Sequence, residues 1–187
     1  MAAWSAAVPH CPRCGGRTAP FRLGTMRKCT SCGAEQRPRI DPSVIMLVAD
    51  SDRCLLGRKA EWKEGRYSAL AGFVELGESL EEAVLREVQE ESGVVVDLNT
   101  LQYHSTQPWL FPRSLMVGFL VQPHPLSPPV TVDMDELEDV RWFDKASVRN
   151  CLQGLPRVPG SDLPQGFHLP TPATLAHALI SSWALEK

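Results

Sequence analysis

Four of the six cysteines stand in two Cys-x-x-Cys pairs, Cys11-Pro-Arg-Cys14 and Cys29-Thr-Ser-Cys32, fourteen residues apart. Each pair makes a tight knuckle, and two knuckles at this spacing match a four-thiolate zinc site. A pair of disulfides is the competing reading. Nothing marks the chain as secreted, however: the opening residues, M-A-A-W-S-A-A-V-P-H, show neither the basic nor the apolar part of a signal peptide. Four protein ligands leave the ion no open position, so the expected zinc is structural. A segment of about 40 residues cannot bury enough surface to fold unaided, and the metal supplies what burial does not. Gly15 and Gly16 follow the first knuckle and Gly33 the second, where the turns need backbone freedom. Cys54 and Cys151 stand alone and are expected as packed or free thiols.

The charge distribution divides the 187 residues at the same place. The net charge is −3, yet residues 1–41 hold seven Lys/Arg and two acids, leaving the remainder acidic. At about 150 residues per domain, this predicts a zinc ribbon over 1–41 and a second domain over 42–187. A 43% hydrophobic and 22% charged composition excludes a disordered, fibrous or coiled-coil chain. No apolar run approaches the roughly 20 residues that span a bilayer. No membrane association is expected. The expected location is inside the cell, the cytoplasm first and an organelle second, and the terminal Ala-Leu-Glu-Lys is not a peroxisomal signal.

Beyond an extended joint at 37–42, the pattern predicts strands at 44–49, 54–57, 94–98, 102–104, 114–122, 130–132 and 140–143. An extended stretch covers 67–75, and a charged loop covers 59–66. Helices are expected over 79–92, 145–152 and from Thr171-Pro172 onward. The class is α+β, a mixed sheet with helices on its faces.

The helix after Ser79 carries the chemistry. Ser79 and Glu82 form a capping box, and Gly93 suits the C-terminal cap. At about 100° per residue, Ala83, Val84 and Val88 share an arc with Leu80. Glu87 and Glu91 fall inside that arc and Glu90 at its edge, while Glu82, Arg86 and Gln89 lie on the solvent side. Carboxylates on an inward face are costly unless something cationic compensates them. Oxygen-only ligands imply a hard ion such as Mg²⁺ or Mn²⁺.

From Gly72 the chain reads G-F-V-E-L-G-E-S-L-E-E-A-V-L-R-E-V-Q-E-E-S-G-V. This resembles the complete signature of the Nudix hydrolases, with Gly72, Glu78, Arg86, Glu87, Glu90, Glu91, Gly93 and Val94 at the fixed positions. The resemblance implies an α/β/α sandwich and hydrolysis of a nucleoside diphosphate linked to another group. The preceding four-cysteine ribbon and the segment T-Q-P-W-L-F-P-R-S (106–114) are similar to the NADH pyrophosphatase branch, some members of which remove NAD caps from RNA. That branch has Ser where Thr106 stands and Pro where Leu110 stands. Longer members carry an additional N-terminal domain that is not in these 187 residues.

The resemblance implies that Glu87, Glu90, Glu91 and Glu136 hold the catalytic ions, Asp135 and Glu138 being alternatives to Glu136. It implies that Gln107, Pro108, Trp109, Phe111 and Ser114 meet the substrate, with Ala71 and Ala176, and that Phe73 stacks on a base. Arg37 stands where the branch often has a substrate-contacting Tyr. The orienting roles expected of Arg86 and Glu78 are hydrogen bonds to other groups of the site. The implied reaction is metal-dependent cleavage of NADH or NAD⁺ to nicotinamide mononucleotide and AMP, and of NAD-capped RNA to 5′-monophosphate RNA, by a homodimer. Two other readings stand beside it. One is a pyrophosphatase for ADP-ribose, FAD or a diadenosine polyphosphate. The other is a ribbon that binds RNA or protein beside an inactive hydrolase domain. The five histidines show no ligand spacing.

Overall fold

The computed structural model describes residues 2–110 and 113–186. The chain divides into two compact units, Met1–Ile40 and Asp41–Lys187.

The first unit holds a short helix α1 (Ala2–Ala7) and three strands, β1 (Thr18–Phe21), β2 (Met26–Cys29) and β3 (Glu35–Gln36), in an antiparallel sheet of order β1-β2-β3. The sequence reading did not include α1, which is under two turns long and has no capping signal. Arg27 ties it down by donating to the Ser5 hydroxyl at 2.8 Å. Gly15 and Gly33 each sit at positive φ, 74° and 73°, so both knuckles turn through a conformation that favours glycine.

In the second unit, six strands form one mixed sheet: β4 (Asp41–Ala49), β5 (Arg53–Arg58), β6 (Leu70–Phe73), β7 (Val96–Trp109), β8 (Ser114–Pro123) and β9 (Asp139–Asp144). The order is β7-β8-β4-β5-β9, with β6 paired to β4. Only β4 and β8 run parallel; the other pairs are antiparallel. Helix α2 (Leu80–Ser92) covers one face, and α3 (Lys145–Leu152) with α4 (Leu175–Leu185) covers the other. This explains the unbroken apolar run at 44–49. Val44, Met46 and Val48 pack toward α2, whereas Ile45, Leu47 and Ala49 pack toward α4. A strand covered on both faces has no polar side to alternate with.

Local signals placed α2 and α3 as expected. The Ser79 hydroxyl accepts the Glu82 N–H, the Glu82 carboxylate accepts the Ser79 N–H, and Gly93 closes the helix in the left-handed region.

Elsewhere tertiary context changed the outcome. The strands expected at 94–98 and 102–104 are one strand, β7, with register shifts after Asp97 and Tyr103. Side-chain bonds at the first shift, Asn99 and Thr100 to Asp97, resemble a turn in sequence. The strand continues through Gln107, Pro108 and Trp109, beyond the strand expected at 102–104. Pro108 is tolerated because β7 is a sheet edge. No strand forms at 130–132: Thr131 donates its N–H to Ser92 O at 2.8 Å, so this segment closes the end of α2. Helix α4 starts a turn later than expected, because residues 171–174 form a turn and Thr174 supplies the cap.

Candidate active site

The first unit presents its four thiols as one cluster. Among Cys11, Cys14, Cys29 and Cys32, one sulfur of each lies within 4.8 Å of all the others. Cys11 Sγ to Cys32 Sγ is 3.8 Å and Cys14 Sγ to Cys29 Sγ is 3.6 Å. A disulfide needs about 2.05 Å, so these are not bridges. A tetrahedral zinc with bonds of about 2.3 Å would space its sulfurs by about 3.8 Å, and the observed edges fit that ion. The N–H groups of Cys32 and Ser31 point at Cys29 Sγ and hold its thiol down to about 6, favouring the thiolate a metal requires.

In the second unit, Glu87 and Glu91 sit one turn apart on α2, both buried. Glu136 reaches the same point from the turn before β9, and the three carboxylates lie within 4.8 Å of one another. Leu137, buried in the core beside α2, anchors that turn. Of the alternatives, Glu138 is ion-paired to Arg58, and Asp135 joins no cluster among the described residues. Glu90 is exposed and outside the cluster.

Arg86 organises this helix. It does not stand in solvent as the wheel implied. Its Nε and Nη2 donate to Glu78 at 2.8 and 2.9 Å, Nη1 to Glu87 and Glu90 at 2.8 and 2.9 Å, and Nη2 to Phe73 O at 2.8 Å. Arg86 holds Glu78 below the usual carboxylate range. The wheel does not show this because the end of β6 at Phe73 and the turn to Glu78 fold back over the helix.

Glu87 is pushed up by burial, against the pull of Arg86. Burial, with the Glu87 charge beside it, pushes Glu91 up to about 8, although Lys59 opposes this. One Glu91 oxygen, Oε2, is buried with no hydrogen-bond partner. An orphaned carboxylate oxygen among two other carboxylates fits a hard divalent cation. Gly72 makes room for the cluster. A Cβ there would lie 1.8 Å from Glu87 Cδ, so the strand passes Glu87 only without a side chain.

Glu91 also lines a cavity of about 340 Å³, with Ala71, Phe73, Gln107, Trp109, Ser114 and Ala176. These seven sequence-expected residues thus meet in one place. Pro108 is not in the wall, and Phe111 lies outside the described residues. Phe73 and Trp109 are 55% and 43% exposed, so neither ring is consumed by the core. Gln107 spends its amide on α4: Nε2 donates to Ala173 O and Oε1 accepts from Leu175 N, both at 2.8 Å. It thereby sets the first turn of α4, which carries Ala176. The sequence reading missed Lys59, Trp62 and Arg66, which also line the cavity. In sequence they look like any charged loop.

The NUDIX domain family model matches residues 39–158. The chain is 40% identical over 191 residues to the NAD-capped RNA hydrolase NUDT12 of Homo sapiens, covering 97% of this chain and 39% of the relative. It is 42% identical over 174 residues to the NAD-capped RNA hydrolase NudC of Mycobacterium bovis, covering 91% and 53%. Against the human mitochondrial NAD(P)H pyrophosphatase NUDT13 it is 38% identical, covering 96% and 51%. The chain therefore spans two fifths to about half the length of these curated relatives. Among solved structures, a NUDIX hydrolase from Nitrosomonas europaea matches with a TM-score of 0.65 and 18% identity, over 96% of this chain and 92% of that one, a likeness of fold. The matched stretch runs from the start of β4 through the glutamate-bearing helix to the loop beyond α3, and the chain belongs to the NUDIX family.

Proposed function

We propose that this chain hydrolyses the diphosphate of NADH and NAD⁺ to nicotinamide mononucleotide and AMP, and that of NAD-capped RNA to 5′-monophosphate RNA. The observation that carries the reading is the orphaned Glu91 oxygen, placed among three carboxylates in the wall of a cavity with two open aromatic faces. The names of the relatives support the choice of substrate.

Glu87, Glu91 and Glu136 would hold Mg²⁺ or Mn²⁺, which when bound neutralises phosphate oxygens and lowers the pKa of a water. Glu136, the exposed member of the cluster, accepts the proton of the attacking water at its carboxylate. Arg86 fixes the Glu87 and Glu90 carboxylates, and Glu78 fixes Arg86 through two parallel hydrogen bonds. Glu90, at the exposed end of that network, has a smaller part. Phe73 and Trp109 stack on the rings of the substrate. Ala71, Ser114 and Ala176 shape the pocket around it, and Gln107 positions Ala176 by clamping α4. The ribbon over 1–41 binds one structural zinc through Cys11, Cys14, Cys29 and Cys32, which suits a reducing intracellular compartment. The assembly is a homodimer, which light scattering would check.

The test is a product analysis. The protein is incubated with equal NADH and NAD-capped RNA and Mg²⁺ or Mn²⁺, and products are identified by mass. Nicotinamide mononucleotide with AMP, or with 5′-monophosphate RNA, is expected. Cleavage of neither, with zinc bound and the fold intact, would turn the reading to another dinucleotide.

A further inference from the structure

The cavity wall contains cations that the reaction described above does not use. Lys59 and Arg66 both line it, and both come from the single segment between β5 and β6. The Arg66 guanidinium lies over the Trp62 ring, its carbon 4.8 Å from the ring centroid. Its Nε is buried with no hydrogen-bond partner, and among the described residues no carboxylate pairs with it. A buried guanidinium N–H without an acceptor is costly. A ring behind it keeps the planar fork in one orientation.

The segment is also held in place. Trp62 N bonds Lys59 O at 3.0 Å, Arg66 N bonds Lys63 O at 3.1 Å, and His168 N bonds Gly65 O at 2.8 Å. Gly65 is at φ 78°, and a Cβ there would meet Gly166 O at 2.2 Å, so the loop is pressed against 165–168. Arg66 lines the cavity with no carboxylate partner among the described residues, and a guanidinium so placed suits an anion with several acceptor oxygens.

We propose that Arg66, backed by Trp62, binds non-bridging phosphate oxygens of the ligand in this cavity. The inference rests on the reading of the cavity as a dinucleotide site. It makes Arg66 a binding residue that acts on affinity for the diphosphate more than on turnover.

The experiment compares wild type with Arg66→Met, Arg66→Lys and Trp62→Leu, using NADH as substrate and AMP and adenosine as competing ligands. Arg66→Met is expected to raise KM about tenfold with kcat changed less than about threefold. AMP inhibition should weaken by the same factor, while adenosine inhibition stays within about twofold. Arg66→Lys should recover part of the affinity, and Trp62→Leu should lose part of it. An unchanged KM, or equal weakening of AMP and adenosine, would overturn the proposal, the second result marking a packing role. Where wild type cleaves no dinucleotide, the functional reading fails by itself. Calorimetric binding of AMP to wild type and Arg66→Met then decides the role of Arg66: weaker binding supports it and equal binding refutes it. Should Arg66→Met fail to fold, Arg66→Gln carries the same comparison.

Discussion

The two units are held together by opposite means. Among the described residues of the first, only Cys11, Thr18, Met26 and Cys29 are buried, and two of these are members of the thiol cluster. The second unit has two apolar clusters, one on each side of its sheet, each with fifteen buried members. The two carboxylates it buries, Glu87 and Glu91, cost it stability. In the ribbon the ligand site is the core. In the larger unit the core supports a site that the fold would be more stable without. A small unit can rely on coordination for its stability, whereas a reactive carboxylate cluster needs a separate apolar frame to keep it in place.

The largest expected effect breaks the comparison at the metal. Structural zinc contributes roughly 10–16 kcal/mol to small metal-dependent folds. Chelation, or Cys29→Ser, should therefore unfold residues 1–40 while the second unit keeps its protected amides. Amide exchange read by NMR checks this, and a ribbon still protected without metal would remove the contrast. Next comes the apolar frame. Leu179 on α4 is fully buried, and Leu179→Ala should cost about 2–5 kcal/mol in denaturant unfolding of the second unit, leaving zinc content at one per chain.

A third experiment separates stability from activity. Glu91→Gln should reduce turnover about a hundredfold or more with no loss of melting temperature in the metal-free protein, because Gln matches the shape of a carboxyl whose charged form burial already disfavours. Glu90→Gln, at an exposed position outside the cluster, should lose about tenfold or less. Equal losses in the two variants would place them in one functional class and undo the geometric division. The smallest effect concerns Gly72. Gly72→Ala forces the strand or Glu87 to move, at about 1–3 kcal/mol, and activity should fall along with stability. A variant that is destabilised but fully active would show that Glu87 tolerates displacement.

Much of the site was legible because it is local. The Ser79/Glu82 box and Gly93 define α2 from within it, and the helical repeat alone puts Glu87 and Glu91 on the face of Ala83 and Val84. The helical repeat alone leaves Arg86 on the solvent side, because it faces away from the core and only the return of the chain from Phe73 to Glu78 encloses it; its orienting hydrogen bonds to the glutamates are those expected. The continuation of β7 beyond His104 is not legible in sequence because proline usually ends strands, and its place at the sheet edge is a property of the whole topology. The strand expected at 130–132 was lost to a backbone bond with the end of α2.

The sequence by itself determined the four-thiol set, the capped helix with two glutamates one turn apart, and the strand apolar on both faces. Each follows from a period or spacing of a few residues, which backbone geometry converts directly into position. Tertiary structure decided which acid in the 133–139 run completes the glutamate cluster, that Gln107 clamps α4, and that Arg66 lies on Trp62 in the cavity wall. Those relations join segments far apart in the chain, and only sheet pairing and core packing bring them within reach of one another.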